Sequence, residues 1–163
     1  MPRLRSYRPD DFPRFLLLDL ETAQDALGEA TEEERKSLRD KWPKLLADRR
    51  FTPAAFAAAR AELFVLEGDD GRYLGHLWLT EKSDDLSGTR LLEVTTMGIV
   101  REARGQGLGR LLMQKAEAAA REKGIEVIEL SVAGNNRRAR DLYRDLGYDT
   151  TRRTMRKRLR EQH

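Results

Sequence analysis

Apolar residues recur at helical spacing from Phe12 to Leu27 (Phe12, Phe15, Leu16, Leu20, Ala23, Leu27), and Gly28 follows as a stop. Leu4–Arg8 precedes them as a short strand, and Pro9 and Asp10 make the turn into the helix. Thr31 with Glu34 is a capping-box pair that opens a second helix through about Ala47. Pro43 falls inside that helix and predicts a kink or a split. Pro53–Ala61 is alanine-rich and predicts a third, short helix. The period then changes. "ELFVLEGDDGRYLGHLWLTEK" reads as strand, turn, strand, and Arg90–Val100 as a further strand after the turn "SDDLSG", so the middle of the chain is an antiparallel meander.

Beyond the meander the order becomes helix, strand, helix, strand. Leu108–Lys123 is amphipathic and ends at Gly124. Ile125–Val132 reads as a strand. Asn135 or Asn136 caps a helix that runs to about Leu146, with Gly147 as its stop. Tyr148–Leu159 closes the chain as one extended segment or as two strands joined by a turn. With no internal repeat, low-complexity tract or linker, residues 1–163 are expected to form one mixed α+β domain.

Composition narrows the chemistry. The 163 residues contain no cysteine, which excludes disulfides, thiolate nucleophiles and Cys-ligated zinc. "MPRLRSYRPDDF" has no apolar core of a secretory signal, and no apolar run is long enough for a bilayer. The expectation is a cytoplasmic protein with no membrane partner. Net charge is +3 but unevenly spread: residues 1–100 carry 15 Lys+Arg against 19 Asp+Glu, and residues 101–163 carry 16 against 9. The basic half suits an anionic ligand.

That half contains "RGQGLG", Arg104–Gly109, between a strand and a helix. Glycines let the main chain approach a ligand closely, and the first N–H groups of a helix lack internal partners. Together with the helix dipole they make an anion site, most naturally for phosphate, and Arg104 and Arg110 would add charge-assisted contacts. The P-loop pattern is absent. A dinucleotide fold wants G-x-G-x-x-G tight against the first strand of a repeating β-α-β pattern, whereas here G-x-G-x-G follows a meander.

"RGQGLG" resembles the Q/R-x-x-G-x-G/A motif of the GNAT superfamily of N-acetyltransferases, and "NRRARDLYRDLGY", residues 136–148, resembles that family's N-x-x-A-x-x-L-Y-x-x-x-G-[FY] segment. The strong likeness covers about residues 90–159, and the first 90 match in layout. The resemblance implies an α+β, GNAT-like fold. Its central sheet would be mixed and mostly antiparallel, with about six or seven strands, flanked by about four helices. A splayed parallel strand pair, Arg90–Val100 with Ile125–Val132, would form the cofactor groove. It implies acetyl-CoA as co-substrate, with Arg104, Gly105, Gln106, Gly107, Leu108, Gly109 and Arg110 around the pyrophosphate. Met97, Gly98 and Ile99 would pair through their backbone with the pantetheine arm, Asn136 would hydrogen-bond it, and Ala139 would leave room for it.

Tyr143 shares a helix face with Asn136 and Ala139 and would act as general acid toward the leaving thiolate, while Asn136 also reads as an N-cap. Some family members place a catalytic glutamate at the spacing of Glu93, which makes it the candidate general base, with Glu81, Asp84 and Asp85 as alternatives. Glycine at position 98 of a strand also suggests a bulge or a close backbone approach. His76 reads as a strand residue, and no metal is expected.

"RRTMRKRLREQ" is strongly basic but has no aromatic to stack bases, so no nucleic-acid partner is expected. The function expected from the resemblance is acetyl transfer from acetyl-CoA to a primary amine, on a small molecule or a peptide, by direct attack in a ternary complex. A non-catalytic acyl-CoA-binding or sensor module on the same fold is the alternative. Acidic residues of the N-terminal helices (Asp10, Asp11, Asp19, Glu21, Asp25, Glu29) mildly favour a cationic acceptor. Relatives that dimerise through sheet edges or terminal strands leave room for a homodimer.

Overall fold

The computed structural model describes residues 1–48 and 51–160. β1 (Arg3–Ser6) leads into α1 (Phe12–Ala26), α2 (Glu32–Asp48) and the short α3 (Pro53–Ala58). The meander follows as β2 (Ala61–Glu67), β3 (Tyr73–Ser83) and β4 (Arg90–Ile99), then α4 (Leu108–Glu122), β5 (Ile128–Leu130) and α5 (Arg137–Asp145). The strands form one sheet in chain order, antiparallel from β1 to β4 and parallel between β4 and β5. This is the mixed, mostly antiparallel sheet that the sequence led us to expect.

Strand alternation divides the core in two. Leu66, Leu77, Leu79, Leu92 and Val94 meet Leu108, Leu112, Met113 and Ala116 of α4 on one face. Leu63 and Val65 meet Phe15 and Leu18 of α1, with Tyr7, Phe51 and Trp78, on the other. The second helix starts as the sequence predicts: Thr31 N–H donates to Glu34 Oε2 at 2.9 Å and Glu34 N–H to Thr31 Oγ1 at 3.1 Å.

Pro43 lies within α2, which continues through it. Two details differ from the sequence reading. β5 is shorter than Ile125–Val132, because Ile125 N–H is drawn back to Ala120 O at 2.9 Å and closes the end of α4. Among the described residues the sheet has five strands rather than six or seven, since residues 149–160 form neither helix nor strand. That segment has too few apolar side chains to make a buried face. Its large ones, Met155 and Leu159, are 93% and 88% exposed, and Arg158 is its one partly buried residue.

Candidate active site

β4 changes partners along its length, and the change opens a wedge in the sheet. The parallel pairing with β5 runs only from Leu92↔Ile128 to Val94↔Leu130. Immediately after it, the register against β3 slips at Thr95, which has no partner between Val94 and Thr96. β4 then continues to Ile99 with no described strand paired to it on the β5 edge. Val100 N–H donates to Leu74 O at 2.9 Å. Antiparallel alternation therefore turns the main-chain groups of Gly98 toward His76 on β3, and those of Met97 and Ile99 toward the wedge. Ile99 O is reached from that side by Arg104 Nε at 3.1 Å.

Gly98 has a different part from its neighbours. A side-chain carbon there would lie 3.2 Å from Leu18 and 3.6 Å from His76 Nε2, so its absence lets α1 lie close to the sheet. Of the two expectations for Gly98, the close approach is present and the bulge sits at Thr95.

The wedge leads directly into the glycine loop. A single 3-10 turn, Arg101–Ala103, is pinned by the buried Ala103. Gly105 and Gly107 then take φ of +79° and +77°, values that a side chain disfavours. Gly107 is the N-cap of α4 and has no side chain to give, and the first turn closes with Leu111 N–H on Gly107 O at 3.2 Å. The N–H groups of Leu108, Gly109 and Arg110 thus precede the helix's own hydrogen bonds. No atom lies within 4 Å of where a Cβ of Gly105 or Gly107 would stand, so the loop surface is open. Arg104, Gln106 and Arg110 are exposed around it.

α5 is held beside the loop from two directions. Leu142 Cδ2 lies 3.1 Å from the Cβ position of Gly109, and Asn135 Nδ2 donates to Asp25 O of α1 at 3.0 Å. Asn136 is the N-cap, its Oδ1 accepting Ala139 N–H at 3.2 Å. Tyr143 is half-buried against the α4 core, with its ring 6.0 Å from that of Tyr148. Burial pushes the Tyr143 phenol up to about 12, so it keeps its proton at neutral pH.

Glu93 faces away from α4. Its carboxylate accepts from Lys82 Nζ at 2.8 Å and from Thr95 Oγ1 at 3.3 Å, and Thr95 Oγ1 in turn meets Thr80 Oγ1 at 2.6 Å. The slipped residue Thr95 thus orients the carboxylate two positions before it. Of the alternatives, Glu81 is tied to Arg90 at 2.6 Å, which holds its carboxyl below the usual range. Asp84 is held low by the backbone N–H groups of Ser87 and Leu86 in the β3–β4 turn, and Asp85 is exposed on that turn.

The acetyltransferase (GNAT) family model matches residues 25–148. The chain belongs to the GNAT family. Among similar curated proteins, a mycothiol acetyltransferase of Beutenbergia cavernae is 37% identical over 84 residues, which is 52% of this chain and 27% of that one. The uncharacterized N-acetyltransferase YdgE of Bacillus subtilis is 35% identical over 94 residues, 58% of this chain and 59% of that one. The matches thus span less than two thirds of the length of either relative. The fold is shared with a putative acetyl transferase from Pyrococcus furiosus, at a TM-score of 0.77, 21% identity and coverage of 98% and 100%. It is also shared with a predicted acetyltransferase from Clostridium acetobutylicum solved with acetyl-CoA, at a TM-score of 0.66, 15% identity and coverage of 97% and 96%.

Within this GNAT domain the glycine loop continues directly from the end of β4, and α5 lies against it through Leu142 at Gly109 while its N-terminal side touches the end of α1. His76, opposite Gly98 on β3, is an interior residue, 0% exposed, with its ring centroid 4.4 Å from that of Phe15 and tilted 38° to it. Its Nδ1 pairs with the Tyr73 hydroxyl at 2.5 Å, and burial pushes its pKa down to about 3. Among the described residues no group of three His, Asp or Glu side chains is placed to hold a metal ion, and no described helix is long and apolar enough to cross a membrane. Sequence reasoning missed Lys82, Thr80 and Thr95: Lys82 and Thr80 lie on β3, and their place beside Glu93 depends on the β3–β4 register. It also counted Asp11 and Asp19 among the acids that favour a cationic acceptor. Asp11 instead sits in a fork with Arg5 at 2.8 Å, and Asp19 accepts from Trp42 Nε1 at 3.0 Å.

Proposed function

We propose that the protein transfers an acetyl group from acetyl-CoA to a primary amine by direct attack in a ternary complex. The observation that carries this reading is the continuity of the edge of β4 at Met97 and Ile99, which no described strand pairs and where Arg104 Nε holds Ile99 O, with the open loop and the uncapped N-terminus of α4. A pantetheine arm presents amides, and an unpaired strand edge is the natural partner for amides. A pyrophosphate needs N–H donors and positive charge, which Gly105, Gln106, Gly107, Leu108, Gly109 and Arg110 supply together with Arg104. Gly98 contributes by keeping the strand thin under α1. Asn136 spends Oδ1 on its own helix, and its Nδ2 remains to donate to the arm; Ala139, one turn on, is small enough to let the arm pass.

In the chemical step the amine nitrogen attacks the thioester carbonyl carbon and the carbon–sulfur bond breaks. Backbone N–H on the wedge side of β4 donates to the developing oxyanion. Tyr143 holds a proton at neutral pH and gives it to the leaving thiolate. Glu93 takes the proton that the amine loses, directly or through a water, while Lys82 and Thr95 fix the carboxylate in place.

Calorimetric titration with acetyl-CoA tests the reading, run beside Tyr143→Phe and Gly107→Glu variants. Micromolar-range binding that survives in Tyr143→Phe and disappears in Gly107→Glu is expected, followed by thiol release with a suitable amine. Absence of binding by the wild type would overturn it. Binding without thiol release across a broad amine panel would favour the non-catalytic acyl-CoA module.

A further inference from the structure

We propose that the cleft between the C-terminal segment and the α1–α2 corner is an oxyanion pocket, in which Arg156 and Arg160 hold a carboxylate or phosphate group carried by the acceptor amine. This rests on the acetyl-transfer reading above and adds to it that the acceptor enters beside the α1–α2 corner.

The cleft has a volume of about 430 Å³ and is lined by Leu27, Glu29, Arg156, Arg158 and Arg160. The three arginines are spaced by two, the spacing that puts side chains on one side of an extended chain. Arg158 anchors the segment. Its Nη1 and Nη2 fork onto the Glu34 carboxylate at 2.9 and 3.0 Å, and Nη2 also donates to Glu29 O at 3.2 Å. The fork holds the Glu34 carboxyl down to about 2, so the pair stays charged throughout the neutral range. Arg158 is thereby satisfied by the protein itself. Arg156 acts on Glu34 only through space, and neither Arg156 nor Arg160 makes an ion pair among the described residues. Two exposed guanidinium groups are left beside a fixed third, and guanidinium matches carboxylate and phosphate geometry.

The position suits an acceptor. Leu27 and Glu29 flank Gly28, whose Cβ position lies 3.3 Å from Asn135 Nδ2, and Asn136 follows as the cap of the helix that bears Tyr143. The α1–α2 corner thus touches the start of α5 on one side and the arginine segment on the other. Leu27 offers an apolar wall to an alkyl chain, and the single Glu29 carboxylate in the lining is outnumbered by Arg156 and Arg160, which leaves the cleft positive. The acids that suggested a purely cationic acceptor are partly engaged elsewhere, Asp11 by Arg5 and Asp19 by Trp42. The acceptor class is therefore an amine that also carries an oxyanion, such as an amino acid or a phosphorylated amine, in preference to a polyamine.

The test begins with protein saturated with acetyl-CoA, so that the loop around Gly107 is filled. Glutarate and inorganic phosphate are titrated separately while the arginine Nε–Hε resonances are followed. Saturable shifts at Arg156 and Arg160 are expected, weakened about tenfold or more in the Arg156→Gln/Arg160→Gln double variant. The tighter of the two probes distinguishes carboxylate from phosphate. Shifts that never saturate, or affinity unchanged by the variant, would overturn the pocket. Matched acceptors then test its use, 5-aminovalerate against pentylamine. A preference of about tenfold in kcat/KM for the acid, lost in the double variant, is expected; equal rates in the wild type would overturn the assignment to the acceptor. Acetyl-CoA binding at the first step is a separate check on the underlying reading, whose failure is visible there whatever the two anions do at the cleft.

Discussion

Gly75 and Gly98 press against each other across the β3–β4 ladder. A side-chain carbon on Gly75 would stand 2.4 Å from the carbonyl oxygen of Gly98 and 2.9 Å from Cδ1 of Ile99. The first obstacle is backbone, which cannot rotate aside. Gly75→Ala is therefore expected to cost about 1–3 kcal/mol or more, and to displace the stretch of β4 that holds Met97 and Ile99. At Gly98 the obstacle is the flexible end of Leu18, 3.2 Å away, and Gly98→Ala is expected to be milder. Urea unfolding of the two variants, with acetyl-CoA titration of each, measures both effects. Equal stability of Gly75→Ala and wild type would count against the close approach.

Gly107 poses a conformational problem with no steric one. Its φ is +77° and nothing stands within 4 Å of a Cβ there. Gly107→Ala is expected to lose about 1–2 kcal/mol of stability from the left-handed backbone alone. Acetyl-CoA affinity should fall by a larger factor than in an Ala substitution at the exposed Gln106, which a side-by-side calorimetric titration would show.

Tyr143 is expected to matter for turnover and little for binding. Tyr143→Phe should lower kcat by roughly 100-fold or more and leave acetyl-CoA affinity near the wild-type value. Because burial holds the phenol up to about 12, its ionisation should not limit the rate below about pH 10. A steady-state pH profile of both proteins checks this, and a fall in rate between pH 8 and 9 (approximate values) that Tyr143→Phe abolishes would speak against the assignment.

His76 should make stability depend on pH. The unfolded chain binds a proton on this imidazole near the ordinary 6.5, while the folded chain does so only near 3, because burial disfavours the charged form. Between these values the unfolded state holds the additional proton. Stability is thus fully present above about pH 6.5 and declines as the pH falls, by up to about 1.4 kcal/mol per pH unit. His76→Asn keeps a polar group near the Tyr73 hydroxyl and cannot gain the charge. Its urea midpoint should change less than that of the wild type between pH 6.5 and 5, above the carboxylate range.

Much of the candidate site was legible along the chain. The glycines before α4, the Asn136 cap and the Tyr143 face are each set by residues within two turns of one another, and local rules reach that far. The surroundings of Glu93 were not legible. Lys82 is eleven positions away on another strand, and Thr80, which meets Thr95 beside the carboxylate, is placed there by the β3–β4 register.

By itself the sequence determined the order of helices and strands as far as α5, the capping box at Thr31 and Glu34, and a glycine loop after β4, because periodicity and capping act over a few residues. Only the tertiary structure decided where β5 leaves β4, which edge of β4 faces the wedge, and why residues 149–160 stay out of the sheet. It also decided which charges were already engaged. Arg5 reaches Asp11 and Glu67, and Arg158 reaches Glu34 across 124 positions. Pairings across such distances depend on how the layers stack, so identical residue types can be structural at one position and free to bind at another.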